Sequence, residues 1–304
     1  MTANPLGIHA LVWVGDTAPD SVSAAIEHTR AAGYDLLEFS LHDSVNLDTA
    51  RARKELEAAG LQVAFSRGLA PEADVSATDL ATVARGAALL RQSVEVTRAM
   101  GGHVLTGALY SAFRKFDHPL TAAGRANIVS VLKDLAVEAA AVDVALGLEV
   151  CNRYETNVVN TAHDALLLAD DVGSDNVFIH LDSYHMNIEE DDFDGPLREV
   201  GDRLGYVHIG ENHRGYLGSG HIDFDQMFAT LADIGYTGPI TFESFSSAVV
   251  AQGLSSDLAV WRNLWSDGDD LARHARDFMA DHLTAARRPP SPGPARQSDL
   301  VREP

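Results

Sequence analysis

Val177-Phe-Ile-His-Leu-Asp182 is a short apolar run that stops on a carboxylate. Its branched and aromatic side chains, without polar alternation, read as a β-strand buried on both faces, as parallel strands are. The same reading extends outward to Ala145-Leu-Gly-Leu-Glu149 before it, and to Gly205-Tyr-Val-His208 and Pro239-Ile-Thr-Phe-Glu243 after it. Each run ends on a side chain able to ligate a metal. Successive ends lie about thirty residues apart, the length of one strand plus a crossover helix. A closed parallel barrel would therefore collect Glu149, Asp182, His208 and Glu243 at one rim.

Four further strand candidates precede these: Gly7 to Trp13, Leu36 to Leu41, Gln62 to Leu69 and His103 to Leu109. Helical patterns alternate with the strands near residues 20–32, 48–59, 79–99, 121–143, 161–171, 196–203, 224–234 and 257–285. Asp20 and Thr121 suit N-caps, and Gly33, Gly60, Gly101 and Gly235 follow helices where a left-handed residue is wanted. The alternation predicts an α/β fold, a (β/α)8 TIM barrel, as one domain over residues 1–286. An open doubly wound sheet would want a glycine-rich phosphate loop after the first strand, and Ala10-Leu-Val-Trp-Val-Gly15-Asp offers none. The last helical pattern puts Trp261, Leu264 and Trp265 on one face. Residues 287–304, rich in proline and polar side chains, read as a disordered tail.

With 304 residues and 46% hydrophobic content, the chain can bury a sizeable core. A formal net charge of -21 repels polyanions, which argues against nucleic acid or an anionic membrane surface as partner and also favours solubility. No apolar run approaches the roughly 20 residues that span a bilayer. The first residues, Met1 to Gly7, lack the basic and apolar regions of a signal peptide, so a cytoplasmic protein is expected. The single cysteine, Cys151, rules out an internal disulfide framework and reads as a small packed hydrophobe rather than a nucleophile.

Three carboxylates and an imidazole form a hard, mostly oxygen donor set, suited to Mn²⁺, Mg²⁺ or Co²⁺ more than to structural zinc. Any one of the four could be an unrelated polar cap on a strand end. Four consecutive strands ending this way argue for a shared site, because buried carboxylates without partners are costly. His180, inside an apolar run, reads instead as a packed core histidine. The loops after the strand ends add Glu155, His185 and Arg214, the hydrogen-bonding groups a polyhydroxylated ligand needs. Arg67, Arg114 and Lys115 could reach a phosphate, but solvated loop charges are the commoner explanation, so a free sugar is the expectation.

The segments Glu149-Val-Cys-Asn-Arg-Tyr-Glu155, Leu181-Asp-Ser-Tyr-His-Met-Asn187, Val207-His-Ile-Gly-Glu-Asn-His-Arg214 and Thr241-Phe-Glu-Ser244 resemble those of the ketose 3-epimerases. This family comprises the D-tagatose, D-allulose (psicose) and L-ribulose 3-epimerases of the xylose-isomerase-like barrels. The resemblance runs over roughly residues 7–285 and includes Gly7 to Trp13, Gly68 to Pro71 and Gly107 to Phe116. It implies that Glu149, Asp182, His208 and Glu243 hold one divalent ion per subunit, Mn²⁺ foremost, with Glu149 and Glu243 also the two acid/base carboxylates. It implies too that Glu155, His185 and Arg214 hold the O1 to O2 end of the ketose, while Trp13, Ser66, Gly107 and Phe245 shape the pocket. Cys151 departs from the proline or aliphatic residue expected there. A homodimer or homotetramer is implied by the resemblance alone.

Epimerisation at C3 of a 2-ketose requires removal of a proton acidified by the neighbouring carbonyl and its return to the opposite face, which two carboxylates can perform. An aldose-ketose isomerase would use similar ligands but return an aldose. An endonuclease IV-like phosphodiesterase would want more histidines at the site and a basic surface, and a sugar-binding protein would not need two glutamates on the ion.

Overall fold

A parallel strand cannot reach its neighbour by a hairpin, so every apolar run must be followed by a crossover, and the fold is the way those crossovers close. The computed structural model describes residues 4–41, 47–250 and 252–288. The strands are β1 Leu6–His9, β2 Leu36–Ser40, β3 Gln62–Ser66, β4 Val104–Thr106, β5 Ala145–Glu149, β6 Val177–Asp182, β7 Leu204–Ile209 and β8 Ile240–Phe242. They pair in chain order, all parallel, and β8 pairs with β1 to close the barrel. The outer layer is built from α1 Pro19–Ala32, α2 Thr49–Ala59, α3 Leu80–Ala99, α4 Ala122–Ala140, α5 Ala162–Val172, α7 Asp194–Val200, α8 Phe224–Asp233 and α10 Gly268–Ala286. Two short helices, α6 Ser183–Glu189 and α9 Gln252–Asp257, lie on the loops that follow β6 and β8.

The (β/α)8 barrel expected from the sequence is thus present, with local differences. β1 stops at His9 because the His9 ring Nδ1 accepts the Leu11 amide at 3.2 Å and turns Ala10–Val12 into a 3-10 helix. Thr121 is the expected N-cap, accepting from the Gly124 amide. Asp20 is not, because Ala18 holds the cap and Pro19 the first helical position, leaving Asp20 in the first turn, where its charge suits the helix dipole. The last helix begins only at Gly268, capped by Asp267. Trp261, Leu264 and Trp265 therefore lie before it and share no helix face: Trp261 is 70% exposed and Trp265 buried. α6 was not foreseen. The expected tail lies, beyond Arg288, outside the described residues.

The large core lies between strands and helices, where outward-facing Leu37, Phe39, Phe65, Leu148, Ile179 and Val207 meet helix residues such as Leu90, Leu132 and Met227. A separate small cluster of Leu36, Ala64 and Tyr206, joined by Val104 and Phe178, fills the lower barrel interior. Its shape relies on a bulge. Ile179 pairs with Leu204 but His180 with Tyr206, so Gly205 is an extra residue, and a Cβ there would strike the Phe178 ring. Gly147 approaches the same ring from β5, with the Thr106 hydroxyl on its other side. Gly147→Val should therefore overpack the interior and destabilise the fold by about 1–3 kcal/mol, read as a lower denaturant midpoint with an unchanged slope.

Candidate active site

Above the apolar plug the barrel interior turns polar. Glu149 ends β5, Asp182 ends β6, His208 is the penultimate residue of β7 and Glu243 follows β8 directly. One ligand atom from each lies within 4.8 Å of all the others, and all four residues are buried. His208 Nδ1 sits 3.4 Å from Glu149 Oε1, 3.4 Å from Glu243 Oε2 and 3.8 Å from Asp182 Oδ2. This nitrogen is buried with no hydrogen-bond partner among the described residues. A buried ring nitrogen facing three carboxylates suits a cation, so the four residues could hold a metal ion.

The other nitrogen of His208, Nε2, lies 2.7 Å from Glu38 Oε2 on β2. Tyr206 donates its hydroxyl to the same oxygen at 2.9 Å and accepts from Thr241 Oγ1 at 2.8 Å. Burial pushes the Glu38 carboxyl up, but His208 outweighs it and the net direction is down. His9, buried on β1, points its own Nε2 at Ser66 Oγ, 3.4 Å away, and Glu38 Oε1, 3.7 Å away.

The loops after β5, β6 and β7 converge over this cluster. Arg214 adopts φ 60°, unusual for a side chain of its size, with its amide bonded to the Glu211 carbonyl. That turn sends its guanidinium to Asp182 Oδ2 at 2.8 Å and Glu243 Oε2 at 2.9 Å, with the rings of Tyr184 and Phe245 4.1 and 5.1 Å away. Gly210 makes the approach possible, because a Cβ there would lie 2.5 Å from Arg214 Nη1. Arg214 Nε and Nη1 have no partner among the described residues and so remain able to donate. His185 Nδ1 accepts from the Asn152 amide at 3.1 Å and its side chain at 2.9 Å. The His185 hydrogen must then sit on Nε2, which faces Asp182 and Glu155 at 3.7 and 3.9 Å. Asn152 also donates to Glu155 at 2.8 Å, so one amide orients both.

Glu149, Glu155, His185, Arg214 and Glu243 share one cavity with Ser66, Gly107 and Phe245, as expected, and with His9, Arg67 and Leu258. It encloses about 480 Å³ of empty space, its solvent mouth included, and opens past Tyr184, His213 and the 258–264 segment. Trp13 is a correction: its indole donates to Asp269 and stacks on His28, between α1 and α10 and off the cavity lining. The early end of β1 turns it outward. Arg114 and Lys115 also lie off the lining; Arg114 borders a separate groove and Lys115 sits over Tyr154. Cys151 is buried with its thiol pushed well up by burial, in keeping with a packing role. His180 is fully buried, its Nδ1 2.9 Å from Thr106 Oγ1, and burial holds it well below the usual imidazole range.

Glu38, His9 and Asn152 were not singled out from the sequence. A carboxylate inside Leu36-Leu-Glu-Phe-Ser40 was the available signal for Glu38, since an unpaired charge there would be costly. The two strand-end glutamates also differ in surroundings. Burial pushes Glu149 up. For Glu243 burial acts the same way, but His208 and Arg214 outweigh it and hold the carboxyl well below the usual range.

Residues 26–282 match the xylose isomerase-like TIM barrel family. A ketose 3-epimerase of Arthrobacter globiformis is 45% identical over 93% of this chain and 98% of its own length. An L-ribulose 3-epimerase of Methylomonas sp. (strain DH-1) is 48% identical over 90% of this chain and 96% of its own. The crystal structure of a D-allulose 3-epimerase from Methylomonas sp. in complex with D-allulose superposes with a TM-score of 0.90 at 46% identity, covering 93% of this chain and 98% of that one. The chain belongs to the ketose 3-epimerases of the xylose isomerase-like TIM barrels.

Proposed function

We propose that this chain interconverts free 2-ketoses by epimerisation at C3, with Glu149, Asp182, His208 and Glu243 as ligands of one divalent ion, Mn²⁺ foremost. The observation that carries the reading is that Glu149 and Glu243 each lie 3.4 Å from His208 Nδ1 and line one cavity with His185 and Arg214. A divalent cation held there supplies Lewis acidity toward the ketose oxygens and stabilises the charge of the enediolate. One glutamate removes the C3 proton from one face of the sugar, and the other returns a proton to the opposite face. Reversal exchanges their roles, so neither has to move.

Arg214 Nε and Nη1 and the His185 Nε2–H are donors for the O1 to O2 end of the sugar, and Glu155 is an acceptor there. Ser66, Gly107 and Phe245 border the remainder. D-allulose, D-tagatose and L-ribulose are the substrates to examine first, because relatives are named for D-allulose and L-ribulose and a related structure holds D-tagatose. Arg114 and Lys115 lie away from the cavity and Arg67 alone of the three lines it; we take the sugar to be unphosphorylated. Among the described residues no helix is long and apolar enough to cross a membrane, and the family likeness supports a cytoplasmic homodimer or homotetramer. We take residues 1–286 as the catalytic barrel.

Incubating manganese-loaded protein with D-fructose, D-allulose, D-tagatose, D-sorbose and L-ribulose, followed by sugar chromatography, should return C3-epimeric ketoses. An aldose product would instead mark an isomerase. Chelation should abolish turnover and added Mn²⁺ restore it. Glu149→Gln and Glu243→Gln should each lower turnover by about a hundredfold or more while circular dichroism stays unchanged, and near-normal turnover in either variant would sink the two-base assignment. Asn152→Ala frees both His185 and Glu155, and should lower kcat/KM about tenfold with manganese affinity retained.

A further inference from the structure

Glu38 lies outside the ligand cluster and off the cavity lining, yet it is completely buried. A carboxylate in that position is costly unless its charge is used. Its shortest contact is to the far nitrogen of His208, at 2.7 Å. A charged carboxylate can only accept, so Nε2 carries a hydrogen, and in the neutral ring the Nδ1 lone pair is left facing Glu149, Asp182 and Glu243.

We infer that Glu38 is a positioning residue for the metal site: it holds His208 in the Nε2–H form, aims Nδ1 at the ion and strengthens it as a donor. The inference rests on the proposed ligand set. Its support lies in how the carboxylate is held. Oε2 takes hydrogen bonds from both His208 and Tyr206, and Tyr206 is itself tied to Thr241, so two strands fix the edge turned toward the ligand. Oε1 has no hydrogen-bond partner among the described residues, with His9 Nε2 nearest at 3.7 Å. The bonding is concentrated on the side of His208. A residue that merely filled the barrel would gain nothing from that asymmetry, whereas a carboxylate bonded to the far nitrogen of a metal-ligating histidine commonly governs metal affinity.

The test is calorimetric titration of Mn²⁺ into metal-free wild-type, Glu38→Gln and Tyr206→Phe proteins at neutral pH. The glutamine amide can donate to Nε2 and so drive the ring hydrogen to Nδ1, which blocks the ligand. Glu38→Gln should weaken the dissociation constant 10- to 100-fold. Tyr206→Phe removes a neighbour of Glu38 but leaves its contact with His208, and should change affinity by about threefold at most. Equal weakening in both variants would mark a structural role and overturn the inference, as would undiminished affinity in Glu38→Gln. A wild-type protein that binds no ion would overturn the ligand set itself, which distinguishes the two failures. Should Glu38→Gln not fold, ¹⁵N-histidine spectra of metal-free wild-type protein decide: a hydrogen on Nε2 of His208 with none on Nδ1 supports the inference and a hydrogen on Nδ1 overturns it.

Discussion

Three carboxylates, each buried and each within 4.8 Å of the others and of His208, cannot all keep their charge unless positive charge is brought to them. The mutual repulsion and the lost hydration are both large in a poorly polarisable interior. Much of the upper barrel answers that constraint. Arg214 accepts a left-handed backbone to reach Asp182 and Glu243, Gly210 leaves room for its guanidinium, and the rings of Tyr184 and Phe245 pack against it. The remaining negative charge is what gives the cluster its affinity for a divalent ion in the proposed reaction.

The fold was legible because a doubly covered parallel sheet writes itself as repeated apolar runs, and eight runs at crossover spacing admit few other closures. β6 matches its expected limits because the carboxylate at its end interrupts the apolar pattern. β1, β3 and β4 ended early for the opposite reason. Their apolar residues continue into loops that are buried under the rim, where burial persists after the strand geometry has stopped. The same ambiguity lengthened the last helix backward over Trp261 and Leu264, whose spacing imitates a helix face in a segment that is not helical. Short α6 was hidden because its cap, Asp182, accepting from the Tyr184 amide at 2.7 Å, was already read as a strand-end ligand.

The cluster of four was legible for a related reason: strand ends in a barrel are brought together by topology alone, so residue type and spacing suffice to gather them. What supports those residues was not. Glu38 reaches His208 from the other side of the barrel, and Asn152 serves His185 across two loops. Such contacts depend on which inward-facing residues sit at the same height, and that follows from strand stagger and from the extra residue at Gly205. Neither leaves a periodic trace. Trp13 shows the converse error, because a residue adjoining the right strand was assumed to face the cavity when a 3-10 turn had already rotated it away.

The arrangement around His208 is symmetric in distance and asymmetric in charge. Glu149 and Glu243 stand equally far from Nδ1, as two groups serving opposite faces of one sugar should. Their other neighbours differ: Glu243 is paired with Arg214, while Glu149 has His185 and His180 near it at 3.9 Å. A reaction that takes a proton on one side and gives one on the other needs the two groups in different protonation states at the start. Equal distances alone would favour neither direction of difference. The Arg214 contact breaks that tie, and it is made by the same guanidinium whose Nε and Nη1 have no partner among the described residues. In the proposed reaction, substrate binding at Arg214 and the readiness of Glu243 are therefore coupled through one guanidinium.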